Sequence, residues 1–143
     1  MAITQAICNT FKKQLLEADM NFKSSGGDNF KLALYSSAAT LTSTTTAYSA
    51  TSEVSNSGQY AAGGGALVNN GTSISAGVAR CDFADRSFTG VTLTARGALI
   101  YNTSESNKSV CVLDFGSDKT ATSGTFTIQF PNPNNTQAII RIA

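Results

Sequence analysis

The chain has no histidine and no tryptophan, and only two prolines and three cysteines in 143 residues. Without imidazole, Ser–His–Asp and Cys–His nucleophile systems are excluded, and most zinc sites go with them. With no Trp and four Tyr, an aromatic platform for stacking sugars would be sparse. Charge is scarce as well. Asp, Glu, Lys and Arg make up 13% of the chain, about half the usual share of roughly 25% in globular domains. The formal net charge is +1 and no block of like charge occurs, so the electrostatic footprint of a nucleic-acid partner is missing. Lys12-Lys13, the adjacent basic pair, reads as a solvated helix face. No apolar run approaches the roughly 18 residues needed to span a bilayer, so no membrane partner is expected. The N-terminal stretch is amphipathic and lacks the compact apolar segment of a secretory signal. Cys8, Cys81 and Cys111 are odd in number and far apart, which fits free thiols made in a reducing cytoplasm better than a disulfide scaffold. Cys81 and Cys111 both fall in expected strands, either as small core-filling side chains or as neighbours across a sheet.

What replaces the charge is Ser, Thr and Asn, with Gly behind them. Such a surface hydrogen-bonds to another protein without the cost of burying an ion. The length suits one domain covering 1–143. Ile3, Ile7, Phe11 and Leu15 recur every four residues, which predicts an N-terminal helix over 1–22 that ends before Ser24-Ser25-Gly26-Gly27. From Asn29 the period changes to two: Phe30, Leu32 and Leu34 alternate with Lys31, Ala33 and Tyr35. Further strands are expected at 66–68, 78–83, 91–100, 110–115, 125–130 and 139–142. Gly97 marks a bulge or bend in the longest of them. Short strands at turn-separated intervals predict a mainly β fold over 29–143, a β-sandwich of jelly-roll type carrying one N-terminal α-helix. The stretch 36–52 is nearly all Ser, Thr and Ala, with Leu41 and Tyr48 as its large apolar residues. A loop of that length usually has a task, so it is either an interaction arm or a loop folded back on its own sheet.

The search for reactive groups finds no convergent acid, base and nucleophile, and a non-enzymatic role is expected. Asp82 with Asp85, and Asp114 with Asp118, border turns, where Asp commonly accepts backbone hydrogen bonds. Asp114-Phe115-Gly116-Ser117-Asp118 lacks the later acidic ligand of a calcium loop. Gly63-Gly64-Gly65 lacks the following Lys-Ser/Thr of a phosphate loop and reads as a turn or bulge. Sequons begin at Asn70, Asn102, Asn107 and Asn134, a number expected by chance in so Ser/Thr-rich a chain. No catalytic, cofactor or metal-binding residue is nominated.

The string Thr94-Ala95-Arg96-Gly97-Ala98-Leu99-Ile100-Tyr101-Asn102 resembles a segment of small virion proteins from tailed bacteriophages. So do Val112-Leu113-Asp114-Phe115-Gly116-Ser117-Asp118-Lys119 and Phe126-Thr127-Ile128-Gln129-Phe130-Pro131. The order of a helix, then Lys31-Leu32-Ala33-Leu34-Tyr35, then a Ser/Thr stretch leading to Glu53-Val54 is similar too. This resemblance implies a particle component made in the host cytoplasm: a capsid decoration or cement protein, with a tail or neck subunit as the alternative. Its partners would be copies of itself and the major capsid protein or tail proteins. A carbohydrate-binding adhesin and a hydrolase are the readings from other classes. Candidate interface residues are Leu41 and Tyr48 in the Ser/Thr stretch, and Ile3, Ile7 and Phe11 on the helix.

Overall fold

The alternation that starts at Phe30 becomes a sandwich-like fold of two antiparallel sheets. It is seen in a computed structural model that describes residues 2–134 and 137–143. In chain order the elements are β1 (Ala6–Ile7), α1 (Asn9–Leu16), β2 (Phe30–Tyr35), β3 (Gly65–Ala66), β4 (Asn69–Ser75), β5 (Val78–Phe83), β6 (Arg86–Asn102), β7 (Lys108–Ile128) and β8 (Ile140–Ile142). The larger sheet runs β1-β7-β6-β2-β3 and the smaller β4-β5-β8. The long β6–β7 hairpin is its spine. Its turn carries Ser106 and Asn107 at positive φ, 53° and 58°, a conformation Asn tolerates better than most residues.

β2 is covered on both faces, which is why five of its six residues are buried. Phe30, Leu32 and Leu34 pair with Asn102, Ile100 and Ala98 and share one face with them. On that face Phe30 meets Phe83 of the small sheet, with ring centroids 5.4 Å apart. Lys31, Ala33 and Tyr35 share the other face with Tyr101, Leu99 and Gly97, and the excursion from 36 to 64 folds over it. Gly97 does mark a bulge: Ala95 pairs with Lys119 and Gly97 with Asp114, so β7 sets residues 115–118 opposite Arg96 alone. The absent side chain also lets Ile3 pack there; a Cβ on Gly97 would lie 2.8 Å from Ile3 Cγ2.

Three expectations are corrected. The helix covers 9–16, not 1–22. Ile3 makes a parallel bridge with Leu41, and Ile7 lies in β1 opposite Cys111. A spacing of four is also a multiple of two, so it keeps residues on one face of a strand as well as of a helix. The helix stops where Ala18 turns left-handed at φ 63°, with its N–H donating to the Leu15 carbonyl. Second, the strands expected at 110–115 and 125–130 belong to one bulged strand, and Phe130 lies beyond it. Third, β4 was not foreseen, because Asn-Asn-Gly-Thr-Ser-Ile-Ser has little β propensity and is ordered by pairing with β5. Residues 135 and 136, which complete the Asn134 sequon, lie outside the described residues.

Candidate functional site

Between Lys31 and Arg80 the chain carries one charged residue, Glu53, and the 36–64 excursion is organised around it. Its Oε1 accepts from Tyr48 Oη at 2.5 Å, and its Oε2 from Tyr60 Oη at 2.7 Å and Gly63 N–H at 2.6 Å. Tyr101 donates to the Gly63 carbonyl at 2.6 Å and stacks on Tyr48 with centroids 4.7 Å apart. Tyr35 donates to the Ser49 carbonyl at 2.7 Å. All four tyrosines therefore gather around one carboxylate, which already accepts three hydrogen bonds within the chain. The glycines make this approach possible: Gly64, at φ +83°, sits so close to β2 that a Cβ would lie 1.8 Å from the Leu32 carbonyl oxygen. Chemically this is a latch that ties the excursion to β2 and β6.

Burial first, and then the nearby Glu53 charge, raise the pKa of Tyr35 and Tyr101; burial and the Glu53 hydrogen bond do the same for Tyr48. For Tyr60, too, burial is the largest influence and the shift is upward. An unfolded Tyr ionises near pH 10. The folded state thus holds these protons more tightly, and the stability they contribute is complete below about pH 10 and falls as pH rises toward the folded values. The buried thiols of Cys8, Cys81 and Cys111 are held protonated in the same way, and an unfolded thiol ionises at about pH 8.5. Thermal melts from pH 8 to 11.5 are therefore expected to show a melting temperature that declines from about pH 8.5 and more steeply above about pH 10; a slope that does not steepen above pH 10 would contradict the latch.

The structure takes most of the nominated interface residues into the chain's own core. Ile3, Phe11 and Leu41 are buried, Ile7 is half-buried against β7, and Tyr48 belongs to the latch. The 36–52 stretch is the loop folded back on its own sheet, not an arm. The carboxylates serve backbone and neighbours: Asp82 accepts from Asn70, Asp85 from Phe130 N–H, and Asp114 from Gly116 N–H while pairing with Arg96 at 3.2 Å. The cysteines are free and buried. Cys81 and Cys111 lie on different sheets and meet across the core, where burial pushes Cys81 up to about 12 and Cys111 further; thiols held protonated in this way are inert. Among the described residues no group of three or more Cys, Asp or Glu is placed to hold a metal.

An apolar groove of about 100 Å³, smaller than several other surface clefts but the least polar, opens between α1 and the inner face of the small sheet, lined by Phe11, Leu15, Phe22, Cys81, Ile140 and Ile142 among others. Ile74, Ala79 and Ile142 are opposed across β4, β5 and β8, so they form one row on the face that also carries Cys81 and Ile140. Cys81 and Ile140 reach the core, whereas the row beyond them overhangs it. Among the described residues the large apolar side chains most exposed are Leu16 (89%), Ile74 (74%), Val68 (66%) and Ile142 (54%). Leu16 follows Leu15 on the helix, so three of these four surround the groove. Sequence reasoning missed it because its row comes from three strands.

A second accessible feature lies on β7. β1 covers its outer edge at Cys111 and Val112, and Gln5 Oε1 accepts from Asp114 N–H just beyond. From Lys119 to Ile128 the strand pairs with β6 alone. The outward side chains there are hydroxyls, with Thr94 and Thr120, and Ser87 and Thr127, each 2.9 Å apart. Compared with family models, with curated proteins and with solved structures, the chain matches none.

Proposed function

We propose that this chain is a structural subunit that packs on the surface of another protein, without catalysis, through the groove between α1 and the small sheet. The observation that carries the reading is the overhanging apolar row with Leu16 beside it. Large exposed apolar clusters on a monomer mark interaction sites, and this one stands on a surface otherwise covered by uncharged polar groups. The bacteriophage resemblance supplies the context: a decoration protein on a capsid, or a tail or neck component. In particles from a phage encoding it, the protein is expected at a fixed ratio to the shell protein. Leu16→Lys should melt like the parent, since Leu16 is exposed and such surface changes stay within about 0.5 kcal/mol, yet be lost from the particles. Wild-type incorporation of Leu16→Lys would remove the groove from the reading, and absence of the protein from particles would remove the virion.

Self-association is the second reading, favoured by the open edge of β7. Residues 120–128 contain no charge and no proline, the usual guards of an exposed edge. Sedimentation is expected to show a dimer that Thr125→Lys converts to monomer; a parent that is monomeric at all concentrations would dispose of it.

A further inference from the structure

The fold closes one half of the β7 edge and leaves the other open. At Cys111 and Val112 the edge is covered by β1, the Asp114 N–H is taken by Gln5, and the Gly116 N–H by the Asp114 carboxylate. Among the described residues, no hydrogen bond joins residues 119–128 to anything but β6. A strand with one bare side offers a row of unpaired amides and carbonyls, and what satisfies such a row is another strand. The bare stretch is bent once: β7 sets Thr122 and Ser123 where β6 sets Thr92 alone, and Ser123 stands at φ 44°. The unbroken run is therefore 124–128. Alongside it opens a cleft of about 400 Å³, lined by residues 125–129, residues 119–121 and Phe115. Phe115 and Phe126, with ring centroids 6.0 Å apart, give it an aromatic floor.

We propose that the open half is closed by the same stretch of a second copy of this chain, the two 124–128 runs pairing antiparallel about a two-fold axis. This rests on the self-association reading above and adds its geometry. A two-fold contact needs a patch that complements itself. The run holds no charge, and its exposed side chains, Thr125 and Thr127, are of a kind that pairs with itself across strands. Lys119 is the nearest charge along the strand, exposed and outside the ion pairs of the described residues. Antiparallel pairing sends the two Lys119 side chains to opposite ends of the joint ladder, far beyond the roughly 8 Å over which salt leaves exposed charges unscreened. Parallel pairing in register would set them side by side. Past Ile128 each chain then runs on toward the other's residues 119–121, over the cleft. The two larger sheets become one, whose remaining ends are β3, two residues long. Edges that short resist further addition, so association stops at two.

Sedimentation velocity and hydrogen exchange at rising concentration test this on the full chain, with Thr125→Lys and Ile74→Lys beside the parent. Thr125 and Ile74 are both exposed, so the two variants should melt like the parent. The parent is expected to dimerise as concentration rises, with the amides of 124–128 gaining about tenfold or more in protection. Ile74→Lys should do the same, and Thr125→Lys should stay monomeric. The added lysines repel each other near the axis, so mixing Thr125→Lys with Thr125→Glu should restore a dimer that neither forms alone. A mixture that stays monomeric overturns the two-fold axis. A dimer that survives Thr125→Lys, or that forms with no added protection of 124–128, overturns the edge pairing; its loss in Ile74→Lys would then place self-association on the small sheet. A parent that is monomeric at all concentrations overturns the inference together with the self-association reading.

Discussion

Deleting residues 41–47 is expected to leave the protein unfolded, with no cooperative melt and a circular dichroism spectrum lacking the β signature. The segment looks dispensable by composition, a run of Thr around one Leu. In the fold it is a strap. The Leu41 N–H donates to the Ala2 carbonyl and its carbonyl accepts from Thr4, at 3.0 and 2.9 Å. The Ser43 carbonyl accepts the first amide of α1, from Asn9, at 2.8 Å. Ser109, a fully buried polar residue, gives its N–H to the Thr46 carbonyl at 3.0 Å and its hydroxyl to the Thr45 carbonyl at 2.6 Å. Each buried group left without its partner costs about 1–3 kcal/mol, and removal of the Leu41 side chain alone about 2–5 kcal/mol. Together these are of the same size as the roughly 5–15 kcal/mol that holds a domain folded. Leu41→Ala is the graded control, expected to melt cooperatively at lower temperature. A deleted protein with a cooperative melt near the parent's would return the segment to the status of an arm.

The strap shows where local reading of the sequence stops. Alternation at Phe30, Leu32 and Leu34 is a local signal, and it placed β2 and the β class correctly, although Ala33 and Tyr35 on the other face are buried as well. Gly97 was readable as a bulge from a local signal too: a residue without a side chain inside a strand has few other uses. Ile3 and Ile7 misled because their spacing is common to both periodicities, and only contacts at i+3 would have separated them. Ser43, Thr45 and Thr46 carry no periodicity, and their role is set by carbonyls aimed at Asn9 and Ser109. Glu53 did leave a trace, as the lone charge across nearly fifty residues. An isolated carboxylate in such a stretch, with tyrosines before and after it, is a signal for a buried acceptor. The groove left none, since Ile74, Ala79 and Ile142 become neighbours only when three strands are in register.

Phe11→Ala is expected to cost about 3–5 kcal/mol, the usual range for truncating a buried Phe. For a chain of this length that lowers the melting temperature by about 10 °C or more. Phe11 is 1% exposed and is the only buried residue of α1. Its ring stands edge-on to Phe22 at 5.9 Å; Phe22 stacks on Phe30 at 4.7 Å, and Phe30 leads to Phe83 at 5.4 Å. The helix is only eight residues long, too short to hold itself in water, so its order depends on this contact. Losing the ring leaves a void at the end of the aromatic row and frees α1 from the small sheet. The same ring forms part of the groove floor, so loss of binding by this variant would say nothing about docking, whereas Leu16→Lys changes the rim and spares the row. Thermal unfolding followed by near-ultraviolet circular dichroism reads both effects, since the aromatic signal reports the row and the midpoint reports stability. A Phe11→Ala protein that melts like the parent would mean that α1 is held by something other than Phe11.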